Sequence, residues 1–186
     1  LIGKKITKIK RRSKFLIFEI GKTYRLLVHL GMTGKFFFTD NKDNKFKTSF
    51  YYFLNYKKDQ KHDRVIFYFK DKQRLIYNDI RKFGFIKIIN QNEIGNNFHL
   101  KKLGPEPLKK YFNFIYLRKY IFGKKRKIKD ILMDQKCVSG LGNIYVNEIL
   151  FSSGIQPFKN VSKLKEVEIK KIVRNTKKIL KRAIKF

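Results

Sequence analysis

At 186 residues the chain can hold one large domain or two small ones, each with its own core. Its 46 Lys and Arg against 14 Asp and Glu leave a formal charge of +32, which attracts polyanions and makes any nucleic-acid binding steeply salt-dependent. No apolar run is long enough for a membrane span, the start Leu1-Ile2-Gly3-Lys4-Lys5 lacks a signal-peptide pattern, and Cys137 alone excludes an internal disulfide or a cysteine-rich zinc site within this chain. A monomeric cytosolic protein with no cofactor of its own is the simple expectation. Lysine far outnumbers arginine, and Ile, Asn, Phe and Tyr are abundant, as AT-rich codon usage produces. Part of the charge therefore reads as mutational drift, and the positions of particular basic residues say more than the total.

In chain order, the first half reads as β-structure. Residues 14–20, 25–30, 64–69 and 74–77 are short, β-branched and aromatic. The polar break Lys70-Asp71-Lys72-Gln73 predicts a hairpin between the last two. Strands at this spacing imply an antiparallel sandwich or barrel, with loops at 40–44 and 56–63. The pattern loosens over 90–108, and Gly104-Pro105-Glu106-Pro107 cannot continue a helix or a central strand. The domain junction is placed there, giving a β-domain over 1–104 and a helical domain over 105–186, an α+β chain. Ile128, Ile131, Leu132 and Gln135 share a helix face; Ile144, Ile149 and Leu150 suit a helix stopped by Gly154. Ser162 can cap a last helix whose stripe is Ile169, Ile172, Val173, Thr176, Ile179, Leu180 and Ala183.

Five segments carry more than folding information. In Gly140-Leu141-Gly142-Asn143 a glycine-spaced turn leads into a helix whose free N–H groups can take a phosphate. Asn143 could cap that helix or face a ligand, and an ordinary helix–turn–helix joint fits the string equally well. Arg11-Arg12-Ser13-Lys14 precedes a strand, where basic residues are usually solvated or block edge pairing. In His29-Leu30-Gly31-Met32-Thr33-Gly34 the two glycines could project Met32 outward as a wedge between bases, although a buried Met is commoner. Arg81-Lys82-Phe83-Gly84 offers a cation and a flat hydrophobe on one side of an extended loop, suited to an orphaned base edge and a gap in the stack; a strand with one core Phe is the alternative. In the polar turn Lys61-His62-Asp63-Arg64, His62 could donate to a phosphate or simply be exposed.

Taken in order, the strings RRSKFLIF, HLGMTG, KHDRV, DIRKFG, LGPEPL and MDQKCVSGLGNIYVNEILF, followed by GIQP, resemble the bacterial formamidopyrimidine-DNA glycosylase family. They run through nearly the whole chain, and HLGMTG and RKFG resemble this branch rather than its endonuclease VIII relatives. The resemblance implies an incomplete antiparallel β-sandwich followed by a helix–two-turn–helix module, binding damaged double-stranded DNA in the cleft between them. It implies base-excision repair, with glycosylase and AP-lyase activity on oxidised purines such as 8-oxoguanine and formamidopyrimidines. Met32, Arg81 and Phe83 would fill the void left by an everted nucleotide, Lys14 would assist elimination, and His62, Asn143, Lys124 and Lys129 would contact phosphates. Lys82 stands where the family usually has a second Arg, and Arg64 where a second His is common.

The resemblance also implies a fragment. The family's nucleophile is an N-terminal proline followed by a glutamate for proton transfer, whereas Leu1 resembles a position well inside the β-domain. The family's four-cysteine zinc finger, holding the one Zn expected in a complete protein, has no counterpart here. The 186 residues alone are expected to trap no covalent adduct with lesion DNA and borohydride. The rival expectation is a non-catalytic remnant that binds damaged DNA without cleaving it.

Overall fold

The apolar runs of the first half become strands in the computed structural model, which describes residues 1–39 and 60–185. They are β1 (Ile6–Arg12), β2 (Phe15–Ile20), β3 (Tyr24–His29), β4 (Lys35–Thr39), β5 (Asp63–Tyr68), β6 (Arg74–Asn78) and β7 (Phe85–Asn90). Among the described residues they form two sheets, ordered β1-β2-β3-β7 and β4-β6-β5. Antiparallel registers set Phe18 opposite Leu26, Leu26 opposite Ile88, and Phe36 opposite Tyr77. Phe18, Ile20, Leu26 and Val28 of the first sheet pack with Phe36, Phe67 and Leu75 of the second. The Phe18 and Phe36 rings meet edge to face at 5.7 Å, which makes the pair of sheets the expected sandwich.

The strands read from the sequence lie within a residue or so of the observed ones. The hairpin over 70–73 is also present: Phe69 N donates to Gln73 O at 2.9 Å, and Asp71 and Lys72 adopt φ 58° and 60° at its tip. Strands β1, β4 and β7 are additional to those expected from the sequence. In β1 the central residues are exposed and Lys8 and Lys10 interrupt the apolar pattern, the charge that guards an edge strand. The loop expected at 40–44 lies outside the described residues, as do 56–59 of the other. Of the remainder, Gln60–His62 is a 3-10 turn and Asp63 already belongs to β5.

The chain divides into two compact units, Leu1–Arg11 with Phe15–Gln91 and Arg12–Lys14 with Asn92–Phe186. The junction expected at 104/105 falls within the second of these units, and hydrogen bonds tie it there. Gly104 N donates to Gln135 O at 2.8 Å and Ser139 N to Pro105 O at 3.0 Å. A Cβ at Gly104 would fall 2.4 Å from Lys136 O. The Gly-Pro pair is therefore a tight element inside the second unit, not a linker.

That unit holds α1 (Phe98–Lys101), α2 (Phe114–Ile121), α3 (Ile128–Met133), α4 (Asn143–Ser153) and α5 (Glu166–Lys185). Leu117, Ile128, Ile131, Leu132, Val146, Ile149, Leu150 and Ile172 are fully buried in one core, each contributing about 1.5–3 kcal/mol by burial. Gly154 ends α4 in the left-handed region at φ 66°. The α5 stripe is buried at Ile169, Ile172, Val173 and Thr176 and packs on through Leu180, while Ala183 is exposed. Ser162 does not cap α5. It sits in the 3-10 turn Val161–Lys163 and donates its own hydroxyl to Asn160 Oδ1 at 2.9 Å. At the start of α5, Lys165 N donates to Glu168 Oε2 at 2.8 Å, and Lys159 Nζ holds that carboxylate. Among the described residues no helix is long and apolar enough to cross a membrane.

Candidate nucleic-acid interface

The first unit brings Met32, Arg81 and Phe83 together at the surface. Met32 is 64% exposed and Phe83 56%. Arg81 Nη1 donates to Met32 Sδ at 3.1 Å, and its guanidinium lies 4.5 Å from the centre of the Phe83 ring. A thioether, a planar cation and a ring thus form one exposed group. The Arg81–Phe83 segment is not extended as expected, because Lys82 between them adopts φ 58°. That left-handed residue folds the guanidinium back over the ring.

Backbone contact between the two loops explains their glycines. A Cβ at Gly31, itself at φ 62°, would come 2.6 Å from Gly84 N, and one at Gly84 would come 1.9 Å from Tyr77 Oη. Beneath the loops lies Asp79, 1% exposed. Its Oδ1 accepts Thr33 Oγ1 at 2.5 Å; its Oδ2 accepts Gly84 N at 2.9 Å and Tyr77 Oη at 3.2 Å. Thr33 Oγ1 in turn accepts Arg81 N at 3.0 Å. Burial alone would raise the Asp79 carboxyl, but the hydrogen bonds from Thr33, Gly84 and Tyr77 outweigh it and hold the group below the ordinary aspartate value. Its neighbour Tyr77 is pushed up to about 12 by burial and by the Asp79 charge. His62 is half-buried in its 3-10 turn and joins this loop through its backbone, where Asp79 N donates to His62 O at 3.0 Å. Arg64 Nε donates to Asp79 O at 2.9 Å, so Arg64 braces the same loop.

In the second unit the glycine-spaced turn is fastened by Gln135. Its Nε2 donates to Leu141 O at 2.8 Å and Met133 O at 3.1 Å, while its Oε1 accepts Gly140 N at 2.7 Å and Ser13 Oγ at 3.2 Å. Gly140 takes φ 93° there. Gln135 therefore serves the turn, since α3 ends at Met133 rather than carrying Gln135 on its face. Gly142, not Asn143, is the N-cap of α4, which leaves Asn143 as an exposed first helical residue. The Lys14 ammonium lies beside this helix start, 3.2 Å from where a Gly142 Cβ would be. Burial pulls the Lys14 amine below the ordinary lysine value. The Lys14 ammonium thus lies beside the first, free N–H groups of α4, where positive charge and helix end add together.

Arg12 is neither solvated nor an edge blocker. It donates to Glu106 Oε1 at 3.0 Å, Ser139 Oγ at 2.6 Å, Gly104 O at 2.7 Å and Leu103 O at 3.2 Å. Ser13, at φ 57°, donates its N–H to the same Glu106 oxygen at 2.6 Å. These bonds fix the peptide that carries Lys14. Lys124 is turned elsewhere: its ammonium bonds Tyr120 O and lies 4.5 Å from that ring's centre. Lys129 is half-buried on α3, with its N–H on Pro157 O at 3.2 Å. No hydrogen bond joins either lysine to Asn143. Cys137 is buried and its thiol pushed up to about 12, chiefly by burial, so it is an inert core side chain.

Asp79, Thr33, Gln135 and Glu106 organise these sites and were not singled out as functional in the sequence. The available signals were a carboxylate two residues before Arg81 and a hydroxyl beside Met32, in loops otherwise rich in basic and apolar residues.

With this geometry in place, comparison with known proteins is specific. A family model described as "Formamidopyrimidine-DNA glycosylase N-terminal domain" matches residues 1–86, and one described as "Formamidopyrimidine-DNA glycosylase H2TH domain" matches residues 103–186. The formamidopyrimidine-DNA glycosylase of Listeria monocytogenes is 36% identical over 184 residues, covering 99% of this chain and 62% of that protein. Its counterpart from Bradyrhizobium is 41% identical over 157 residues, covering 84% of this chain and 53% of that protein. A Lactococcus lactis formamidopyrimidine-DNA glycosylase, solved non-covalently bound to DNA containing an AP site, superposes with a TM-score of 0.83 at 38% identity, covering 98% of this chain and 65% of that one. A Lactococcus lactis variant solved with Fapy-dG-containing DNA also gives 0.83 at 38%. The chain thus spans 53% of one of these curated relatives and 62% of the other.

Proposed function

Because the chain belongs to the formamidopyrimidine-DNA glycosylase family, we propose that it is the damage-reading part of a base-excision repair protein acting on double-stranded DNA in the bacterial cytoplasm. The observation that carries this reading is the exposed group in which Arg81 touches both the Met32 sulfur and the Phe83 ring. Everting a nucleotide leaves a gap in the stack and an unpaired base opposite. Phe83 supplies a flat face for the gap, Met32 fills the remaining space, and the Arg81 fork hydrogen-bonds the orphaned base edge. Lys14 and Asn143 at the start of α4 take phosphate oxygens, His62 adds a donor beside the first-unit loops, and Lys129 and Lys124 add positive charge. Turning Lys124 outward for a phosphate first breaks its bond to Tyr120 O.

For the whole protein we propose excision of oxidised purines followed by strand cleavage. An amine attacks the sugar C1′ and the base leaves with the bonding electron pair, taking up a proton; the C1′–O4′ bond then opens, a proton goes to O4′ and an imine forms at C1′, and loss of the acidified C2′ proton expels the 3′ phosphate by β-elimination. The lowered Lys14 amine suits it to moving a proton in that second step.

Competition binding tests the reading. The 186-residue chain should prefer an abasic-site duplex over an intact duplex and over RNA of the same length. Arg81→Ala or Phe83→Ala should cut that preference by about tenfold, within the range for base-specific contacts. Equal affinity for all three polyanions would leave only the +32 charge at work and sink the proposal.

A further inference from the structure

We propose that Asp79 and Thr33 are positioning residues for damage recognition: together they lock the Met32 loop to the Arg81–Phe83 loop and so set the selectivity for a gapped duplex over an intact one. The inference rests on the void-filling reading of Met32, Arg81 and Phe83.

Three exposed side chains can act as one wedge only if their loops hold a fixed spacing. Here a single buried carboxylate sets it. Asp79 receives a hydroxyl from one loop (Thr33), a backbone N–H from the other (Gly84) and a phenol from β6 (Tyr77). All three partners are donors, and a carboxylate is the side chain that accepts from all without presenting a donor of its own. The bond to Gly84 closes the 79–84 loop upon itself, while Asp79 N on His62 O fixes its root. Thr33 then works in both directions. It donates to Asp79 and accepts from the backbone N–H of Arg81, the residue whose guanidinium reaches Met32 and Phe83. The path from the buried charge to the exposed cation is thus Asp79, Thr33 hydroxyl, Arg81 backbone. Neither Asp79 nor Thr33 reaches DNA in this scheme; both act through Arg81.

Thr33→Val keeps the side-chain shape and removes both hydrogen bonds, and Thr33→Ser restores them. Dissociation constants for an abasic-site duplex and an intact duplex of equal length, with thermal melting as a control, are measured for the unmodified chain, both Thr33 variants, Asp79→Asn and Arg81→Ala. The abasic-to-intact preference should fall about tenfold in Thr33→Val, as expected for losing a charge-assisted hydrogen bond. Affinity for intact duplex, held by phosphate contacts, should stay within about twofold, and Thr33→Ser should recover the preference. If Asp79→Asn does not fold, the Thr33 pair still decides. A preference retained in Thr33→Val but lost in Arg81→Ala overturns the positioning role and leaves the void-filling reading standing. A parallel fall in both affinities also overturns it, because that is a general folding role. No preference in the unmodified chain overturns both.

Discussion

Asp79 shows how much a single residue can organise and how its effect can be isolated by pH. Its folded carboxyl lies below the unfolded aspartate value despite burial, because hydrogen-bond donors surround it. A depressed carboxyl contributes stability that is fully present above the unfolded value, about 3.9, and is lost as pH falls through the folded value. Urea unfolding of the unmodified chain and Asp79→Asn from neutral pH downward should therefore show a stability gap that narrows below about pH 4. Glu19 and Glu168 are also depressed, but they are common to both proteins and cancel in the difference. A gap independent of pH would mean that the Asp79 charge contributes nothing to folding. None of this was legible in the sequence. The string around Arg81 marked a DNA-facing loop, yet which donors a carboxylate collects depends on contacts between residues far apart in the chain.

At the scale of elements, the legible parts were those whose apolar residues keep one period without interruption. Strands β2, β3 and β6 are such cases, as is the α5 stripe from Ile169 to Thr176, and each has its buried residues there. Strand β1 was missed because its lysines break the alternation, and Gly104-Pro105 reads as a linker until its hydrogen bonds are seen. The Arg12 cluster belongs to the same class of hidden feature. Its side chain is 32% exposed and that of Glu106 16%, so the pair is partly shielded and its planar fork serves four acceptors. Arg12→Lys keeps the charge but loses the fork. It should destabilise the second unit by about 1–3 kcal/mol, the cost of leaving buried acceptors unpaired. Chemical denaturation checks this, and an unchanged midpoint would show that water replaces the lost donors.

For the whole molecule, the charge of +32 guarantees attraction to any polyanion and so says little about which contacts are specific. Salt dependence separates them. Lys14→Ala should weaken duplex binding evenly across sequences and reduce the slope of log K against log salt by about one. Asn143→Ala should weaken binding with the slope unchanged, because an amide releases no counterion. A slope unaffected by Lys14→Ala would remove the ammonium beside Gly142 from the phosphate site. The glycine-spaced turn into a helix was readable from Gly140-Leu141-Gly142-Asn143, but Lys14's place beside it was not, since more than a hundred residues of sequence separate them.

That distance in sequence has a bearing on how the protein can be taken apart. The helical unit is discontinuous: it needs Arg12–Lys14 as well as everything from Asn92 onward. No single cleavage can release it intact, and a peptide beginning at Asn92 would leave Glu106, Ser139 and two backbone carbonyls without the Arg12 donors. On either side of those three residues, β1 up to Arg11 and all of β2 belong to the other unit. Amides of Gly104, Ser139 and Gly140 should consequently exchange with solvent as one cooperative group, linked to the opening of the turn at Arg12–Lys14 and not to fraying of the nearest helix.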